Sequence, residues 1–120
     1  MRAVAIAIVL AATLGGRAAA QLPFEGTWAN AREICANTLD NAPADARFPV
    51  TLTATRLSAG PFSCAFKSVL PGGASFRVEA ACEVGGQNSD EFFTFAVLSG
   101  KLYWSWGGRT AVLERCPDRR

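Results

Sequence analysis

Between Phe92 and Trp106 the chain alternates large apolar side chains with polar or small ones on both sides of a two-residue turn signal, Ser99-Gly100. Phe93, Phe95 and Val97 fall on one face before the turn; Leu102, Trp104 and Trp106 fall on one face after it. Period two marks a half-buried strand, because successive side chains leave a strand on opposite faces. Folding about the turn sets Val97 against Leu102, Phe95 against Trp104 and Phe93 against Trp106. The two apolar faces then coincide, and a slip of one residue would turn one strand's three apolar side chains to water. Gly107-Gly108 reads as a second tight turn. It returns 109–115 along the same strand, with Arg109 opposite Trp106, Ala111 opposite Trp104 and Leu113 opposite Leu102. Lys101 then faces Glu114 on the outer side.

A second hairpin is centred on Gly73. Phe62, Cys64 and Phe66 share a face on the way in; Phe76, Val78, Ala80 and Cys82 share one on the way out. Symmetry about Gly73 sets Cys64 directly across from Cys82. Opposed β-carbons lie about 4.5–5.5 Å apart and a disulfide needs about 3.8 Å, so a non-hydrogen-bonded position is expected. Four cysteines allow three pairings; this geometry selects Cys64–Cys82 and leaves Cys35–Cys116. Upstream, Val50, Leu52 and Ala54 alternate with Thr51, Thr53 and Thr55, as an inward row and an outward row of one strand over 48–56. The stretch 29–47 lacks alternation and reads as a loop with one helical turn near Arg32, held by Cys35. The expected fold is all-β: about seven strands (near 25–29, 48–56, 61–69, 75–84, 91–98, 101–106 and 109–115) in a small disulfide-stapled, up-and-down antiparallel β-barrel or a sandwich.

The first twenty residues stand apart. Arg2 precedes an apolar run of twelve residues, 3–14, and Ala18 and Ala20 supply the small side chains that signal peptidase accepts. The run is short of the roughly twenty residues of a membrane span. The expected organisation is a signal peptide over 1–20 and a single β domain over 21–120, with no membrane span in the mature chain. Of 12 Lys+Arg against 10 Asp+Glu, the leader removes Arg2 and Arg17, so 10 face 10 and the mature charge is zero. No basic stripe survives, which argues against nucleic acid as a partner. Four cysteines in a short exported chain read as two disulfides of an oxidising compartment, periplasmic or extracellular. With no histidine and no Cys-x-x-Cys, neither a metal site nor a cofactor is expected.

Gly26-Thr27-Trp28 at the start of the domain and Arg115 near its end resemble the calycin superfamily. Lipocalins, avidins and the small bacterial metalloprotease inhibitors are its members. In that superfamily a Gly-x-Trp opens the barrel and a late arginine packs across the tryptophan; the resemblance gives those parts to Trp28 and Arg115. Calycins use eight or more strands, against the seven expected here. The layout is also similar to that of small exported proteobacterial proteins without an assigned activity.

Catalytic chemistry has little to work with. Histidine is absent, both cysteine pairs are expected to be oxidised, and no serine lies in a Gly-x-Ser-x-Gly context. The adjacent carboxylates Asp90 and Glu91 would point to opposite faces of a strand. The chain therefore reads as a non-enzyme, a monomeric binding module of the cell envelope. Trp104, Trp106 and Arg109 are the candidate binding residues, for a small ligand or an exported protein. The alternative is an inhibitor of an exported hydrolase, of protease or lysozyme type, with Gln21-Leu22-Pro23-Phe24 as an extended leader. N-terminal sequencing of the exported protein should give Gln21 first; an intact Met1 there would remove the signal-peptide reading.

Overall fold

The computed structural model describes residues 21–38 and 47–117; the expected signal peptide, 1–20, lies outside the described residues. Eight antiparallel strands close a barrel in simple sequence order. They are β1 (Gly26–Ala29), β2 (Val50–Leu52), β3 (Arg56–Ala59), β4 (Phe62–Gly72), β5 (Ser75–Val84), β6 (Gln87–Leu98), β7 (Lys101–Trp106) and β8 (Arg109–Arg115). A short 3-10 turn, Arg32–Ala36, follows β1.

The registers of β6, β7 and β8 follow from alternation alone. Val97 pairs with Leu102, Phe95 with Trp104 and Phe93 with Trp106. Leu113 pairs with Leu102, Ala111 with Trp104, Arg109 with Trp106 and Glu114 with Lys101. The last pair forms an outer-face ion pair, 3.8 Å between Lys101 Nζ and Glu114 Oε2. Ser99 supports the turn at positive φ, 53°, followed by Gly100 at 78°.

Cys64 and Cys82 are opposed and bridged, with Cα atoms 4.0 Å apart, closer than the roughly 4.5 Å of an ordinary non-hydrogen-bonded pair. The hairpin around them is not symmetric about Gly73. Its turn is Gly73-Ala74, with Gly72 paired to Ser75, and the half-residue offset is absorbed where the register shifts between Phe66 and Ser68. A β-bulge of this kind adds one residue to one strand. Cys35 and Cys116 form the second bridge.

The strand expected over 48–56 is shorter, Val50–Leu52, and a further strand that was not expected, Arg56–Ala59, follows it. Val50 and Leu52 point inward as expected, but Ala54 is exposed and the chain reverses over 53–55. Thr53 Oγ1 accepts the Thr55 backbone N–H at 3.2 Å, and the Thr53 N–H bonds to Arg56 O at 2.9 Å. A threonine that closes a local hydrogen bond favours a turn over a strand. The apolar row resumes at Leu57, which is fully buried, so the barrel has eight strands rather than seven.

The leader is the other correction. Leu22-Pro23-Phe24-Glu25 forms a turn, closed by Glu25 N–H to Leu22 O at 3.1 Å and by Leu22 N–H to Glu25 Oε2 at 2.8 Å. Proline suits the second position of such a turn because its φ is preset. The turn drives Phe24 into the barrel, where it is fully buried, 5.1 Å from the Phe95 ring and 5.3 Å from the Phe76 ring. Trp28 donates its indole N–H to Phe24 O at 2.9 Å, and the Arg115 guanidinium lies 4.2 Å above the Trp28 ring. Arg115 also donates to Glu25 O at 2.9 Å. Gly26 sits at φ 138°, and a Cβ there would overlap the Arg115 guanidinium, so glycine is required on both counts.

Phe24, Trp28, Leu52, Leu57, Val78, Phe93, Phe95, Leu102 and Leu113 fill the barrel, together with the Cys64–Cys82 bridge. Phe95→Ala should lower stability by about 3–5 kcal/mol, the range for emptying a buried aromatic site. Arg115→Ala should cost about 1–3 kcal/mol through the stacked cation and its carbonyl bonds. Urea unfolding checks both; a loss under about 1 kcal/mol at Phe95 would contradict its place in the core.

Candidate functional site

The Phe24 plug occupies the end of the barrel where β7 begins and β8 finishes. The opposite end is the mouth, formed where β7 finishes and β8 begins. β7 delivers Trp104 and Trp106 to the inner face there, and their rings lie parallel, 5.6 Å apart with 4° between planes. Phe93 meets both indoles edge-on, at 5.5 Å and 5.6 Å. Phe62, at the start of β4, stacks against Trp106 at 5.4 Å. Offset-stacked and edge-to-face contacts are the favourable aromatic arrangements, so this cluster holds its indoles firmly.

Polar groups rim the cluster. Trp106 donates its indole N–H to Glu91 Oε1 at 2.8 Å, and Ser89 Oγ donates to the other oxygen of Glu91 at 2.8 Å. The buried indole N–H of Trp104 has no hydrogen-bond partner among the described residues. Leaving such a donor unpaired costs about 1–3 kcal/mol. Trp104, Trp106, Gly107, Arg109, Thr110 and Ala111 line an open concavity of about 540 Å³.

The three candidate residues of the sequence are therefore together. Arg109 pairs with Trp106 in the ladder and lines the same concavity, but the only guanidinium that stacks on an indole among the described residues is that of Arg115 on Trp28. Both flat sides of Trp106 already meet rings, and Arg109 stays exposed. Phe93 and Phe95, 2% and 0% exposed, belong to the core, whereas Trp106 at 39% belongs to the rim. Sequence reasoning missed Phe62 and Glu91 as members of the mouth. Inward parity on β4 and β6 places both on the lining face, but only the barrel's stagger brings β4 to β7.

Asp90 and Glu91 do diverge. Glu91 turns in to Trp106, while Asp90 turns out to Lys67 Nζ at 3.1 Å. The hydrogen bond to Asp90 is the main influence holding the Lys67 ammonium above its ordinary pKa, with the charges of Asp90 and Glu79 adding to it. A polar concavity of about 520 Å³ on this outer face is lined by Arg56, Ser63, Glu83, Asn88 and Asp90 among others. It lacks the aromatic wall of the mouth. Among the described residues no group of three or more histidine, cysteine or carboxylate side chains is placed to hold a metal ion, and no helix is long and apolar enough to cross a membrane.

Urea unfolding should separate rim from core. Phe93→Ala should cost about 3–5 kcal/mol, and Trp106→Ala clearly less, about 1–2 kcal/mol, since part of its surface is already in water. Equal losses would make Trp106 a core residue. Comparison with protein-family models, curated proteins and solved structures finds no match to this chain.

Proposed function

We propose that the chain is an exported, monomeric, non-catalytic binding module, and that its ligand enters the barrel mouth against Trp104, Trp106 and Arg109. One observation carries this reading: Trp104, whose buried indole N–H is unbonded, Trp106 and the exposed guanidinium of Arg109 line a single aromatic-walled concavity. A cleft that combines apolar walls with a few convergent polar groups is the usual form of a small-ligand site. The arginine favours an anionic group on the ligand, and the indoles favour an apolar or planar body beside it.

The non-catalytic half rests on the absence of histidine, on the oxidation of both cysteine pairs and on the divergence of Asp90 from Glu91. Export is supported by the leader pattern and by two bridges of the kind an oxidising compartment sustains. The calycin likeness is part of the same reading, supported by the Arg115 guanidinium over Trp28. The inhibitor reading has lost its extended leader, because Phe24 is inside the barrel.

Anilinonaphthalene sulfonate, an anionic aromatic probe, should bind the folded protein and quench its tryptophan fluorescence. Trp106→Ala and Arg109→Ala should each weaken binding by about tenfold or more, a loss of about 1.4 kcal/mol, with the unfolding midpoint little changed for Arg109→Ala. Binding that survives both substitutions would reject the mouth as the site.

A further inference from the structure

β8 is paired along its whole length with β7, but with β1 only at Arg115 and Glu114. β1 ends at Ala29 and the chain turns into Arg32–Ala36 instead of following β8 toward the mouth. The cause is the second bridge. Cys35 must come within a Cα distance of 5.8 Å of Cys116, at the plugged end, so the chain turns back as soon as β1 is complete. Among the described residues, 109–113 of β8 consequently have no strand on this side.

The orientation of the bare backbone follows from one hydrogen bond. Cys116 donates its N–H to Thr27 O at 2.7 Å, toward β1. Backbone groups alternate along an antiparallel strand, so Thr110 and Val112 aim their N–H and C=O groups to the same side. Two donors and two acceptors thus lie in a row along the gap. On the inner face of this stretch stand Ala111, exposed although it faces the barrel, and Arg109, which has no hydrogen-bonded or ion-paired partner among the described residues. Edges of folded sheets are commonly shielded by proline, by charge or by covering chain. This one carries a single charge, and that charge faces the concavity.

We propose that the β8 edge takes an extended polypeptide segment of a partner as an added antiparallel strand, with an apolar side chain opposite Ala111 and an acidic one opposite Arg109. Main-chain bonds to Thr110 and Val112 supply affinity, and the alternate side chains entering the mouth supply selectivity. The apolar residue lies against the Trp104 and Trp106 end of the barrel; the acidic residue neutralises the exposed guanidinium. The inference rests on the mouth as a binding site and names the partner class for it.

The test uses the mature protein and an end-capped peptide in which threonine alternates with leucine and then aspartate, beside a second peptide with lysine for aspartate. Residue-resolved hydrogen exchange should show protection appearing at the Thr110 and Val112 amides only, since those of Ala111 and Leu113 already bond to β7. The aspartate peptide should bind about tenfold more tightly than the lysine peptide, and Arg109→Glu should invert that order. Val112→Pro removes a gap-facing donor without touching the β7 ladder, and should weaken binding by about tenfold. Protection of Thr110 and Val112 in the free protein would mean that the chain covers its own edge, and would overturn the proposal. So would a peptide that quenches the indoles without protecting those amides. Failure of both peptides alongside binding of anilinonaphthalene sulfonate rejects strand addition and leaves the mouth site standing; failure of all three rejects both.

Discussion

Closure of this barrel passes through a four-residue strand. β1 must join β2 on one side and β8 on the other, yet it meets β8 at two residue pairs only. So small a ladder is reinforced by everything around it. The Arg115 guanidinium covers Trp28 and bonds to the carbonyl of Glu25, the Trp28 indole bonds to Phe24 O, and Cys35–Cys116 ties the segment after β1 to the end of β8. All but the indole bond join the beginning of the domain to its end, so they close the longest loops and oppose the most chain entropy. In the loop-closure picture, a bridge across so long a loop destabilises the unfolded chain by about 4.5 kcal/mol.

The same constraint explains why the two ends of the barrel differ. At the plugged end a proline turn inserts Phe24 and the arginine seals it. At the mouth the strands that would complete the wall are absent among the described residues, because β1 stops early and β2 and β3 are short. At this end β5 and β6 continue past the β7–β8 hairpin, whose inner face lines the open concavity. A tryptophan pair and an arginine occupy that face, with Glu91 of β6 beside them. The apolar core thus passes into an accessible surface within one strand, from Leu102 through Trp104 to Trp106, as exposure rises.

Several parts of the site are legible from local pattern. The turn at Gly107-Gly108 and alternation place Arg109 across from Trp106, and turn signals with face parity place Cys64 across from Cys82. The second success has an error inside it: the turn lies half a residue from the assumed centre, and a bulge near Lys67 restores the pairing at the cysteines. The row of threonines after Val50 misleads, since alternation cannot distinguish an outward strand face from a turn in which Thr53 bonds to the Thr55 backbone. The leader misleads for a different reason. Leu22-Pro23-Phe24-Glu25 contains its own turn signal, but nothing local says that Phe24 should point inward. Its burial depends on the space that Phe66, Phe76 and Phe95 leave at that end of the barrel.

By itself the sequence determined what neighbours decide: which residues form strands, which faces turn inward, how adjacent hairpins register, and which cysteines meet across a hairpin. Those features rest on a period of two and on turns whose backbone demands few residue types. Tertiary structure alone decided how the first strand meets the last. It set the number of strands at closure, the burial of Phe24, the approach of Phe62 to Trp106 and the short pairing of β1 with β8. These depend on the stagger of a closed sheet and on where a long-range bridge pulls the chain, and both act between residues too far apart in sequence for any local pattern to record.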